Sequence, residues 1–264
     1  MKIFIQLLSL FILVISPCKG QSTSAILLST DSVLANRFLA IDVLSHRYYE
    51  ENGVLYKSNQ EQIWQYKNLA LGKILKIDTQ NPLKIAVFFE RFNAVVLLDN
   101  QLNEIKIIAF SDINKNSIIA SAIGIAAQNK LWFYDTISQK IGLFNCVNDD
   151  FKWISTSFPG NFKHYESDFN NFQWIDTELN WYSCNLFGEI NLIRPVPDFD
   201  KIQIINSNMI VYSKGEHLYF LDFKSNKTQE VQNVDKSFDF FIYKDQILSI
   251  FTDRQIKNYK IQLP

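Results

Sequence analysis

The residues best suited to general-base or metal-binding chemistry are three histidines, His46, His164 and His217, spread along 264 residues with no common spacing. A zinc site needs ligands in close pairs, such as two cysteines or histidines two to five residues apart. No such pair occurs, so each histidine is read as a turn or surface residue. Carboxylates stand side by side at Glu50–Glu51 and Asp149–Asp150. An acid/base couple requires two carboxyl groups facing each other across a substrate, whereas neighbours on a strand point to opposite faces. Both pairs are therefore read as solvated turn residues. There is no GxSxG, GxxxxGKS or GxxxxGKT, HExxH, paired CxxC or GxGxxG. On this reading no catalytic residue, metal ligand or cofactor is assigned, and the binding residues stay unknown.

The aromatic residues are the next candidates. The chain holds 22 Phe, 11 Tyr and 5 Trp, too many for a disordered chain to leave in water. Trp132, Trp153, Trp174 and Trp181 fall inside β-prone runs and are expected in the core. Phe92, Phe158, Phe169 and Phe187 fall at or near turns. There they could form a sugar platform at one mouth, or more commonly a protein contact. Lys and Arg number 26 against 27 Asp and Glu, a net charge of −1. No field of that size draws in nucleic acid or anionic lipid.

Met1-Lys2, the apolar run Ile3 to Ile15 and the ending Pro17-Cys18-Lys19-Gly20-Gln21 form the pattern of an export signal. Cleavage after Gly20 is the favoured reading, leaving one domain over residues 21–264. Acylation at Cys18 is the competing reading, and Pro17 counts against it. The apolar run falls short of the ~20 residues of a membrane span. Cys146 and Cys184 then remain, either as a disulfide permitted outside the cytoplasm or as two separate buried thiols.

Stepping along the chain, Ala120 to Ser155 contains four short β-prone runs, Ser121–Ile125, Leu131–Tyr134, Lys140–Phe144 and Phe151–Ser155, divided by polar turns. A four-stranded meander of roughly 40 residues is the size of one β-propeller blade, which cannot bury both faces alone. Similar units begin at Phe38, Ile74, Ser121, Phe162, Ile202 and Phe238. Glu51-Asn52-Gly53 signals a tight hairpin, and Asp99, Asp135, Asp176, Asn185 and Asp222 close strands where a side chain can accept N–H groups of the following turn. The sixth unit has only three strands. Ala25–Ser29 is expected to supply the fourth by pairing beside Gln255 to Ile261, burying Ile26, Leu27 and Leu28 and leaving no edge exposed. The expected fold is all-β, a six-bladed β-propeller of four-stranded antiparallel blades, monomeric in isolation.

The ending Lys19-Gly20-Gln21 and the stretches VVLLDNQLNEI (95–105), VPDFDKIQ (196–203) and IKNYKIQLP (256–264) resemble an uncharacterised group of exported six-bladed propeller proteins from Bacteroidota. That resemblance covers the mature chain and implies a periplasmic protein at the outer membrane, accessory to type IX secretion. It implies no catalytic residues. A non-enzymatic scaffold for a protein of the cell envelope is thus the first functional expectation, and a glycan-binding or glycan-active propeller the second.

Overall fold

The computed structural model describes residues 22–33, 35–59, 61–111, 117–252 and 254–261. The export signal read at residues 1–20, with Cys18, lies outside them. Strand β1 (Ser22–Ser32) comes first. Blade 1 is β2 (Arg37–Ile41), β3 (Arg47–Glu51), β4 (Val54–Ser58) and β5 (Ile63–Tyr66); blade 2 is β6 (Lys76–Asn81), β7 (Lys84–Phe89), β8 (Ala94–Leu98) and β9 (Glu104–Ala109). Blade 3 is β10 (Ala120–Ala126), β11 (Lys130–Asp135), β12 (Lys140–Asn145) and β13 (Asp150–Trp153); blade 4 is β14 (Phe162–Ser167), β15 (Asn171–Asp176), β16 (Asn180–Asn185) and β17 (Ile190–Pro195). Blade 5 is β18 (Lys201–Asn206), β19 (Met209–Lys214), β20 (His217–Asp222) and β21 (Lys227–Gln232); β22 (Phe240–Lys244), β23 (Ile247–Thr252) and β24 (Gln255–Ile261) begin blade 6.

Local chemistry sets these boundaries. Asn52 and Gly53 both have positive φ, 52° and 74°, which gives the primed two-residue turn matching the strand twist between Glu51 and Val54. The residues expected to close strands do so by the same device. Asp99 Oδ1 accepts the N–H groups of Gln101 and Asn103, Asp176 those of Glu178 and Asn180, and Asn185 those of Phe187 and Glu189. Asp135 and Asp222 accept from Ser138 and Lys224.

The core is divided among the seams. Six clusters of buried side chains each join two neighbouring blades, as where Phe88 and Val95 of blade 2 meet Ile123, Leu131 and Phe133 of blade 3. Period-two alternation distributes each middle strand between two clusters. Ile85, Val87 and Phe89 of β7 face blade 1, whereas Ala86 and Phe88 face blade 3. This explains the unbroken apolar runs of β7 and β8, which are covered on both sides.

Closure follows the expected pairing, with two corrections. Ala25–Ser32 run antiparallel to β24, placing Ala25 opposite Ile261 and Ser32 opposite Gln255, while Ser22–Ser24 add a parallel contact to β21. One strand thereby links blades 5 and 6 into an eight-stranded sheet, and four further sheets of four complete a six-bladed β-propeller. The first correction concerns burial: Thr23 and Ala25 are covered, but Ile26, Leu27 and Leu28 are each more than half exposed. An outermost strand has a blade on one face and water on the other, and a bulge between Leu27 and Ser29 breaks the alternation that would have turned one of them inward. The second concerns the edge. The ring closes, yet residues 25–32 are paired with a strand on the β24 side alone, so the outer edge of this blade stays open.

Candidate interaction face and central channel

In each meander the first-to-second and third-to-fourth turns leave on one face of the ring, and the second-to-third turns and blade connections leave on the other. The first face has an inner mouth of mixed character, with Asp245 exposed and the ammonium groups of Lys84 and Lys244 bonded to Asn129 and to the Asp42 carbonyl. Its six innermost turns, residues 42–46, 82–83, 127–129, 168–170, 207–208 and 245–246, contain no lysine, arginine or glutamate. Of the acids, Asp42 and Asp168 spend their oxygens on N–H groups of their own turns. Between them these turns expose Val43, Leu44, Leu83 and Phe169. The inner mouth of the second face holds an ion-pair cluster, with Lys163 paired to Asp198, which also binds Lys214.

A channel of about 1050 Å³ runs along the inner strands of blades 1, 2, 4, 5 and 6. Blade 3 contributes nothing to its wall because blades 2 and 4 meet over β10. Lys76 Nζ donates to the Tyr165 carbonyl at 2.6 Å and Gln80 Nε2 to that of Ser167 at 2.5 Å. The crossing needs Gly124 beneath it, where an added Cβ would lie 1.8 Å from Ser167 Oγ.

Several polar groups of the wall tie one blade to another. Asp78 Oδ2 accepts the Ile125 N–H at 2.7 Å, Glu166 Oε1 that of Ile204 at 3.1 Å, and Gln203 makes a two-way bond with the backbone of Tyr243 at 2.7 and 2.9 Å. Arg37 donates to Ile74 O and Lys244 to Asp42 O. Desolvation pushes Lys76 down to about 8, against the pull of Glu166 and Asp78, and pushes Asp78 up. Groups held in this way fix the inner strands in register, and they leave few free donors and acceptors converging on one point.

The histidines stand apart. His46 lies in the first turn of blade 1 with Nδ1 3.0 Å from Asp42, whose Oδ2 also accepts the Tyr48 hydroxyl at 3.0 Å. Asp42 is the only hydrogen-bonding partner of this ring among the described residues, so the pair lacks a nucleophile. His217 pairs with Glu230 at an exposed position. His164 departs from expectation: it is on inner strand β14, lines the channel and binds Glu166 at 2.9 Å. Among the described residues no group of three histidine, cysteine or acidic side chains is placed to hold a metal.

Glu50 also departs from expectation, for it is buried and paired with Arg37 at 2.7 Å rather than solvated in a turn, while Asp149 is exposed and binds Lys106. Cys146 and Cys184 are separate free thiols. Trp132, Trp174 and Trp181 are buried in the seams and Trp153 packs at the margin of one. Of the turn aromatics, Phe158 is packed, stacking on Trp174 at 4.8 Å. Phe92 emerges on the second face, Phe169 and Phe187 on the first. They share no mouth. The aliphatic residues Val43, Leu44 and Leu83 are exposed in turns where Asx side chains already supply the capping.

Comparison with known proteins agrees on fold. No protein-family profile matches the chain, and no curated protein matches it in sequence. Among solved structures, a member of the DUF4221 family from Bacteroides vulgatus has a TM-score of 0.55 at 9% identity, covering 92% of this chain and 99% of that one. A catalytically inactive virginiamycin B lyase from Staphylococcus aureus with quinupristin has a TM-score of 0.59 at 10% identity, covering 88% and 99%. The extracellular domain assigned to a hybrid two-component system of Bacteroides thetaiotaomicron has 0.52 at 9%, covering 86% of this chain and 34% of that one. Identities this low establish a shared β-propeller architecture and nothing of activity. Among the described residues no helix is long and apolar enough to cross a membrane.

Proposed function

We propose that this propeller is an exported, non-enzymatic scaffold that binds a protein of the cell envelope through its first face. The observation that carries the reading is the set of exposed apolar side chains on the innermost turns of that face, Val43, Leu44, Leu83 and Phe169. Apolar side chains grouped on a surface mark protein contact, whereas a small-molecule site needs convergent polar groups, and here those are engaged between blades. The export pattern of residues 1–21 and the fold likeness to an extracellular domain support a periplasmic location at the outer membrane, the Bacteroidota resemblance extending this to an accessory of type IX secretion. A glycan-active propeller has less support, since its aromatics would have to share one mouth.

The test is crosslinking and affinity isolation of the tagged chain from a Bacteroidota envelope, beside the variant Leu44→Asp/Leu83→Asp. A partner recovered reproducibly with the native chain and lost with the variant supports the reading. No reproducible partner, or equal recovery with both, overturns it, and binding on a glycan array would favour the alternative.

A further inference from the structure

The channel has two unlike walls. At mid-depth the adjacent blades 6 and 1 present Phe240, Ile242, Leu39 and Ile41, all half-buried and apolar. The rest of the wall, on blades 2, 4 and 5, presents Asp78, Glu166 and Gln203, which are already bonded to Ile125, His164, Ile204 and Tyr243.

The two ends are unlike as well. Every inner strand begins at the second face, because the first-to-second turns lie on the first, so Arg37, Lys73, Lys76, Lys163 and Lys201 all stand at that end. The acids there are Glu50, Asp198, Asp200 and Asp239. Three of them are taken: Glu50 by Arg37, Asp198 by Lys163 and Lys214, and Asp200 by Lys214 and the Gly215 N–H. Three of the cations are not. Among the described residues Lys73, Lys76 and Lys201 have no carboxylate at ion-pair distance, and of the acids at this end only the exposed Asp239 is without a cation. Lys76 and Lys201 give one hydrogen bond each, to the carbonyls of Tyr165 and Phe238 at 2.6 and 3.4 Å, and Lys73 gives none. An ammonium has three donors, so most of this capacity is unused. Arg37 Nε is buried without a partner.

We propose that the channel holds a free amphipathic organic anion, a carboxylate with a hydrocarbon tail. Its head lies at Lys73, Lys76 and Lys201, and its tail along Leu39, Ile41, Phe240 and Ile242. Size agrees, since about 1050 Å³ is the volume of a small-molecule cavity. Inner strands of five or six residues span roughly 17–20 Å, room for such a tail. A cation would meet these lysines with Asp239 alone to answer it, and a neutral apolar molecule would leave the donors unused. Neither the groups engaged between blades nor the first face takes part, so this site and the proposed protein contact stand or fall separately.

Calorimetric titration of the chain from Gln21 with decanoate, at low salt, is the test. One site per chain is expected. Octanoate should bind roughly tenfold more weakly, because two methylenes fewer are buried. Decanol should be weaker than decanoate by at least about tenfold, having lost the charge-assisted hydrogen bonds. Lys73→Glu/Lys201→Glu alters two exposed side chains, so the melting temperature should hold while decanoate binding falls by at least about tenfold. Phosphatidylglycerol vesicles should not compete, since the tail must lie inside the channel. No decanoate site, equal binding of decanol or decylammonium, inorganic phosphate bound as tightly as decanoate, competition by the vesicles, or a variant that binds as the native chain does would each overturn the proposal.

Discussion

Lys76 of blade 2 donates to the carbonyl of Tyr165 of blade 4 at 2.6 Å, passing over the inner strand of the blade between them. Neighbouring blades in a ring ordinarily meet only along their seams. This contact skips one, and it moves the channel away from blade 3.

Gly124 permits the crossing, and its replacement should show the cost. In Gly124→Ala the new methyl would overlap Ser167, whose Cβ is 2.8 Å away and whose Oγ is nearer. A loss of about 1–3 kcal/mol is expected from overpacking. Urea denaturation measures it, and adding Ser167→Gly to the same chain should recover part of the loss.

The ammonium of Lys76 should make stability depend on pH in a defined direction. Burial lowers its pKa from 10.5 to about 8. Between these values the unfolded chain holds the proton and the folded chain has released it, so the contribution of this residue to stability rises with pH. Below about pH 8 both states are protonated and the dependence vanishes. The stability of the native chain relative to Lys76→Met should therefore improve from neutral to alkaline pH, as read by denaturation of both proteins side by side. A flat difference would show that Lys76 titrates normally.

Removing the closing strand tests the ring. A chain beginning at Asp31 loses the pairing of Ala25, Ile26 and Leu27 with β24 and of Ser22–Ser24 with β21. At about 0.5–1.5 kcal/mol for each hydrogen bond, it should denature earlier than the chain beginning at Gln21 and aggregate. Ile26→Ser, which keeps the backbone, should stay within about 0.5 kcal/mol of native. Equal midpoints for the two chains would contradict the closure.

Two phenylalanines that look alike in sequence should behave oppositely. Phe158 stacks on Trp174 and its carbonyl accepts the Tyr134 hydroxyl at 2.7 Å, whereas Phe187 is 93% exposed. Phe158→Ala should destabilise by about 2–4 kcal/mol, and Phe187→Ala by less than about 0.5 kcal/mol. Thermal melts of the two variants check both values.

Reducing agent should leave the melting temperature unchanged, since both cysteines are free. The buried Cys184 thiol is pushed up to about 12 by desolvation, so a maleimide should label it only after unfolding.

The starts of the six units were legible within two residues, because Asn and Asp do the work of turns here and announce it locally. Ile74 against Lys76 and Phe238 against Phe240 are the widest differences. The partner of β1 was legible too, since three strands at one end of the chain and an orphan at the other have one economical solution. Side-chain direction was less so. Ile26, Leu27 and Leu28 read as core until the bulge and the outermost position are known, and Phe158 reads as a free turn aromatic until Trp174 is set beside it. The channel was not legible at all. Its wall depends on Lys76, Gly124 and Tyr165, which belong to three different units and have no local signature.

The pairing of β1 with β24 also determines when the molecule can be finished. Asn258 binds Ser29 across 229 positions of chain. As the chain is synthesised, β1 must wait, with Ile26, Leu27 and Leu28 unpaired, until β24 is available. Five blades can assemble in sequence behind it, but the ring locks only after residue 261 has been made. Contacts of such range make folding slow and keep the incomplete chain open, which is the state in which a polypeptide can still be threaded through a narrow pore.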